Sequence, residues 1–489
     1  MKPGRISRRQ ALHAGGAIAA TTLLGCASNR APTTRQRTIY DVQDYGARGD
    51  GTTIDTLAFQ RAIDEAAAAG GDSIVLVRGG KQYVVGGLML RGGIEFHLAD
   101  DARILISTNP EDYRIAAVPR VAASQPVAAP RNDRTVFSAH EAHGLRLTGS
   151  GTIDGRWREF MDRFDDENEW WRPKPFRPPL FQLVGCKDLE LKGISIVGSP
   201  VWTVHLLGCQ HVLVDGVTIR NQLDVPNCDG VNPDHSQDVE IRNCNISCGD
   251  DAIAVKATRA GMQYGPTHHV RVHDCVFNTQ DSGVKIGTET TQDIHDILFE
   301  RCRIESSCRG LCIQLRDEGS VYNVTFRDIS FVSRYHSDPW WGRGEAISFT
   351  AIPRSPQTKL GSIHHVQVSN VTGRAENSVR INGLEGNPVH DLMMNDVKVT
   401  LDRWTKYAGG VFDNRPTTAM QAIEPHGTPG FSVRHARNIV LSNCSVEWGP
   451  QRPEYFTHAL HAEDVSNLLT PGFKGESANP AKFKAINIE

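Results

Sequence analysis

From residue 189 onward the chain alternates apolar and polar positions with period two, and the alternation breaks at the same place in each copy. The unit reads apolar, any, apolar, any, Gly/Asn/Asp/Arg, apolar or Cys, any, apolar. It recurs as LELKGISI from Leu189, VLVDGVTI from Val212, VEIRNCNI from Val239, VRVHDCVF from Val270, ILFERCRI from Ile297 and VTFRDISF from Val324. It continues from Val366, Leu392 and Ile439, and a weaker early copy begins at Leu145. The sixth positions from Ile194 to Ile329 step by 23, 27, 31, 27 and 27 residues. Period two marks strands with one buried face. A repeat this long is one coil of a solenoid, because strands of a β-sandwich recur every 8–12 residues or so. The pattern predicts an all-β fold. Each coil is a strand, a bend and a second strand, and the coils stack about 4.8 Å apart as a parallel β-helix.

A solenoid needs its open end covered. The stretch DTLAFQRAIDEAAAAGG, Asp55 to Gly71, predicts a capping helix of about 15 residues. Asp55 is its N-cap, its apolar positions are Leu57, Phe59, Ala62 and Ile63, and it ends on glycine. Two aromatic, charged inserts interrupt the repeat, at 154–180 with Trp170 and Trp171, and from Ser333 to Arg354 with Trp340 and Trp341. Loops on a rigid scaffold gather binding residues, so these read as walls of a cleft. Residues 38–475 are read as a single β-helix catalytic domain, and 476–489 as a C-terminal tail.

The 489 residues carry a net charge of −3, with 39% hydrophobic and 22% charged positions, which is ordinary globular composition. Basic residues do not outnumber acidic ones and are not clustered, so nucleic acid is not expected as a partner. Residues 1–26 read as an export signal, followed by a linker over 27–37. SRRQAL resembles a twin-arginine motif, and the apolar run after it is too short to span a bilayer. LLGC, ending at Cys26, resembles a lipoprotein cleavage site, which would give a lipid anchor through Cys26. Removing residues 1–25 takes four cations away and leaves a charge near −7. The expected location is the periplasm, an outer-membrane anchor or the exterior. Twin-arginine substrates are exported folded, so the other ten cysteines are expected as free thiols. Cys244, Cys275, Cys302 and Cys444 share one inward position and form a buried ladder.

The candidate chemistry lies in NCDGVNPDHSQDVEIRNCNISCGDDAIAVKA, Asn227 to Ala257. Asp229 falls one coil before the adjacent pair Asp250 and Asp251, at the same bend, so stacking brings three carboxylates together. Like charges in a low-dielectric place raise one another's pKa. Asp234, in NPD, reads as a turn residue with a supporting role, and His268 and His269 as solvent-facing at a strand edge. The motifs NCDG and GDDAIAVK, preceded by SPVWTVHLLGCQHVLVDGVTI, resemble glycoside hydrolase family 28, the polygalacturonase family. The opening YDVQDYGARGDGTTIDTLAFQRAID is similar to the start of that family.

The resemblance implies a right-handed parallel β-helix and inverting hydrolysis of α-glycosidic bonds in an acidic polysaccharide or oligosaccharide. By position, Asp250 resembles the general acid, and Asp229 and Asp251 resemble the pair that activates water. The chain departs from the family where a GHG histidine is expected, since Ser282 stands there in DSGVKIG. It departs again where an Arg and a Lys of an RIK motif are expected, since Cys312 and Gln314 stand there in GLCIQLRDEG. Asn227, Lys256, Ser282, Lys285, Arg309, Gln314 and Arg316 are the candidate substrate-binding residues. The acids offer calcium ligands, but hydrolysis does not need the ion, so no metal and no cofactor is expected. A monomer is expected because both ends of the solenoid are capped. Two other readings stand beside this one: a polysaccharide lyase or uronate epimerase on the same fold, and a non-catalytic glycan-binding β-helix.

Overall fold

The computed structural model describes residues 37–116 and 134–489. The export signal, Cys26 and the linker up to residue 36 lie outside the described residues. Over residues 38–489 three columns of parallel strands run side by side, and most coils give one strand to each. The front column carries the candidate acids. It includes Val204–Leu207, Val231–Asp234, Ile253–Ala257, Ser282–Thr290, Arg309–Leu315, Glu345–Ala351 and Asn377–Asn382. The repeat unit supplies the other two columns, as in Gln210–Asp215 and Thr218–Arg220. The fold is the right-handed parallel β-helix that the repeat and the resemblance predict, with the usual hand of parallel crossovers.

The fifth position of the unit is the bend between those two columns. Gly193, Gly216, Asn243, Asp274, Arg301, Asp328, Asn370, Asp396 and Asn443 all have φ between 48° and 74°. The left-handed region is costly for most L-residues and cheapest for Gly, Asn and Asp, which explains the composition of that position. Inside the coils, Val231, Ile253, Val284, Leu311, Ile347 and Val379 stack as one buried column. All ten cysteines from Cys186 to Cys444 are buried free thiols.

Several expectations are corrected. The capping helix is Thr56–Ala68, 13 residues long. Phe59, Ala62 and Ile63 are buried in the core, but Leu57 is 63% exposed, on the opposite side. Asp55 does not cap the helix through its side chain. Its carboxylate accepts from the N–H groups of Arg48 (2.8 Å) and Gly49 (3.1 Å) and fixes the preceding turn. The second insert is shorter than expected: only 334–344 leaves the coil, and Glu345–Ala351 is a front-column strand. A further excursion, 402–430, carries an antiparallel pair of strands that the pattern did not reveal. Ile486–Ile488, in the stretch assigned to the tail, pairs in parallel with Leu460–Ala462.

The bend column makes a direct prediction. Asn443→Val places a β-branched side chain at φ 51° and should cost about 1–2 kcal/mol, read as a lower denaturation midpoint. Asn443→Gly should leave the midpoint nearly unchanged.

Candidate active site

The parallel register of the front column stacks one residue of each coil in line. The ladder runs Trp202, Asp229, Asp251, Ser282, Arg309, Glu345, Asn377. Its rungs are backbone hydrogen bonds: Gly230 N–H donates to the Asp251 carbonyl and Ala252 N–H to the Ser282 carbonyl, at 3.0 and 2.9 Å. Asp250 precedes Asp251 at the bend, where strand alternation lapses, so both carboxyls face the same side. One oxygen from each of Asp229, Asp250 and Asp251 lies within 4.8 Å of the others.

The three acids have different surroundings. Asp229 is buried. Its Oδ2 accepts from Asn232 Nδ2 at 3.0 Å, while Oδ1 has no hydrogen-bond partner. Burial, with the nearby Asp251, pushes its pKa up to about 6 against the pull of Lys256. Asp251 is buried too. It accepts from Lys285 Nζ (2.7 Å) and from Ser282 N–H (3.2 Å). Asp250 is half-buried. It accepts from its neighbour's amide, Asp251 N–H, at 2.9 Å and stands 3.5 Å from Asn227 Nδ2. Burial and then repulsion from Asp229, Asp251 and Asp281 hold its carboxyl far above the usual range.

Of the candidate binding residues, Asn227, Lys256 and Lys285 come to the acids. Asn227 is held from behind by Arg177, whose NH2 donates to its Oδ1 at 3.1 Å. Lys256 pairs with Glu289 (3.0 Å) and lies 5.4 Å from the Trp202 ring centre; Lys285 lies 5.9 Å from that of Trp341. Burial pulls both lysines down, but Glu289 and Asp229 at Lys256, and Asp251 and Asp281 at Lys285, outweigh it and raise them. Three carboxylates close together offer oxygen ligands to a metal ion, as expected from their spacing. Here the ammonium group of Lys285 already pairs with Asp251.

Ser282, Arg309, Gln314 and Arg316 present no surface. Ser282 Oγ donates to Asp281 Oδ1 at 2.9 Å. Arg309 bridges Asp281 (3.2 Å), Asp413 (3.4 Å) and Glu345 (3.9 Å). Gln314 Nε2 donates to the Arg415 carbonyl, and Arg316 to the carbonyls of Leu315 and Thr350. These four support the floor rather than line the opening.

Sequence reasoning missed Asp281, a buried fourth acid that stacks in register with Asp250, and the ring of Trp202 at the opening, whereas Trp341 comes from the insert read as a cleft wall. Asp281 was legible as the residue before Ser282 in QDSG, at the place Asp250 holds one coil earlier. Asp234 is not a turn residue. It lies in Val231–Asp234, fully buried, and accepts from His205 Nε2 (2.9 Å) and Thr258 N–H (2.8 Å). His269 is exposed, as expected, but His268 is half-buried in a stack of rings with His295, Tyr322, His364 and His390.

The family model for glycosyl hydrolases family 28 matches residues 120–409. A probable polygalacturonase of Vitis vinifera is 30% identical over 279 residues, 55% of this chain and 56% of that protein. The chain thus spans just over half the length of this relative. The family 28 exopolygalacturonase of Yersinia enterocolitica superposes with a TM-score of 0.68 at 19% identity, covering 88% of this chain and 78% of that one. An exopolygalacturonase of Thermotoga maritima gives 0.61 at 22% identity, over 74% and 87%. At these identities the two structures speak for the fold.

The raised carboxyl of Asp229 carries a linkage. A group whose pKa is higher folded than unfolded favours folding while protonated, and loses that contribution as pH rises through its folded value. Asp229 therefore costs stability above about pH 6. Asp229→Asn should raise the denaturation midpoint at pH 7.5–8 by the equivalent of up to about 3 kcal/mol. The gain should vanish below about pH 4; equal midpoints at both pH values would contradict it.

Proposed function

Because this chain belongs to glycosyl hydrolases family 28, we propose that it hydrolyses α-glycosidic bonds in an acidic, pectin-like polysaccharide or oligosaccharide. The observation that carries this reading is the convergence of Asp229, Asp250 and Asp251 to within 4.8 Å. Their surroundings divide the work. Asp250 is the acid at the opening and the one most strongly driven to hold its proton, so it donates to the leaving oxygen. Asp229 keeps Oδ1 unengaged, and Asp251 is held in place by Lys285. Together they take up a water and accept its proton as it attacks the anomeric carbon. Inversion follows if that water attacks from the face opposite Asp250. The acids lie closer than the carboxyl separation of about 6.5–9.5 Å usual for inverting enzymes. The water is thus pictured against the Asp229–Asp251 pair, not midway between two distant groups.

Lys256 and Lys285 supply positive charge for an acidic sugar, and Trp202 and Trp341 supply ring faces at the opening. The Ser282, Cys312 and Gln314 departures mean that the sugar need not be unsubstituted galacturonate. Rhamnogalacturonan pieces and other acidic glycans fit the same charge. Export through the leader would bring the enzyme to such substrates.

Asp250→Asn should lower kcat by about 10²–10⁴-fold with little change in KM. Proton NMR of the wild-type reaction should show the inverted anomer first. A product absorbing in the near ultraviolet would mean elimination, and a lyase. Glycan binding without new reducing ends, unchanged by Asp250→Asn, would mean a binding protein.

A further inference from the structure

The excursion 402–430 leaves the solenoid after Leu401 and returns at Phe431. Its middle part crosses the front column. It starts against the 334–344 loop: Gly342 N–H donates to Asp413 Oδ2 (2.8 Å), and Arg415 donates to the carbonyls of Trp340 (2.7 Å) and Asp338 (2.9 Å). It then passes over the strands. Gln314 Nε2 donates to the Arg415 carbonyl at 3.1 Å, and Arg316 NH2 to the Asn414 carbonyl at 3.4 Å. It reaches the opposite rim, just past Glu345–Ala351. There Thr418 N–H donates to the Arg354 carbonyl (2.8 Å) and Thr417 Oγ1 to the Pro353 carbonyl (2.6 Å). The strap is held by buried charge, since Asp413 pairs with Arg309 (3.4 Å) and Arg415 (2.8 Å). Beneath it Gln314, Arg316, Thr350 and Arg380 are all fully buried.

A groove along the coil axis is therefore shut over the coil of Arg309–Leu315. That coil is two steps from Asp251, through Ser282, a distance of about 10 Å. We propose that the strap, residues 411–425, is the end wall of the site and restricts the enzyme to chain ends. A terminal sugar can abut the wall and place its linkage at Asp250. An internal linkage cannot, because the chain beyond it has no path through the strap. This inference rests on the hydrolase reading and adds to it the mode of cleavage.

The test follows products and viscosity together, on polygalacturonate, rhamnogalacturonan and size-defined oligosaccharides labelled at one end. Terminal action releases the smallest product from the earliest time points, while viscosity falls slowly as reducing ends accumulate. Intermediate lengths with an early collapse of viscosity would overturn the inference and leave the hydrolase reading standing. No new reducing ends on any glycan would sink that reading, and the inference with it. A variant with Arg415–Gln421 replaced by a Gly-Gly link, checked for wild-type unfolding behaviour, should release intermediate lengths. A folded variant that still yields only terminal products would overturn the strap's role. If that variant fails to fold, the wild-type product pattern decides alone.

Discussion

The amide N–H of Gly230 donates to the carbonyl of Asp251, and the next coil repeats the bond from Ala252 to Ser282. These rungs fix which residues of successive coils stand in line. A slip of one residue would turn the acids toward the core and the core valines toward solvent. The buried column of Val231, Ile253, Val284 and Leu311 opposes such a slip, because every side chain in it would lose its apolar contacts. The placement of three carboxylates within reach of one another is thus a consequence of backbone register, and it is secured by hydrophobic burial in the strands that follow the acids directly in each coil.

Stacking charge on charge is costly, and the front face answers by alternating sign. Asp251 meets Lys285, Glu289 meets Lys256, and Arg309 lies among Asp281, Glu345 and Asp413. Buried pairs of this kind contribute little net stability, but breaking one is expensive. They therefore act as fixtures that hold side chains in one geometry. Asp229 and Asp250 are the exceptions. Neither carboxyl is in contact with an ammonium or guanidinium group among the described residues. Burial first, and then the neighbouring carboxylates, push their pKa values up, and no cation in contact cancels that push. On the proposed reading, the burial left uncompensated at Asp250 is what keeps a proton there for the leaving oxygen.

What the sequence revealed was whatever local chemistry dictates. The bend position could be read because φ near +50° selects Gly, Asn and Asp, and the acids because a doublet between Gly249 and Ala252 has no packing role. Leu57 was misjudged because periodicity counts apolar residues without knowing which side the solenoid lies on. Asp234 was misjudged because Asn-Pro-Asp is a turn signal in isolation, whereas register pulls Pro233 into a strand opposite Leu206. The strap was invisible for a different reason. It has no period of its own, and what fixes it are contacts such as Gln314 to Arg415 and Gly342 to Asp413, far apart in the chain.

The departures from the family pattern make sense together once the strap is in view. Cys312 and Gln314 stand where an Arg and a Lys would grip a substrate, on the coil that the strap covers. Gln314 gives its amide N–H to the strap, and Cys312 is buried beside it. A long cation at either place would collide with the covering segment or be buried without a substrate to meet. On the proposed reading, the positive charge comes instead from Lys285, which stacks in register beneath Cys312, one coil nearer the acids. With the strap as the proposed end wall, shortening the groove and drawing the cation inward would be one change: if the floor beyond Arg309 is footing for a wall, charge recognition would have to move to the sugar that remains in reach of Asp250.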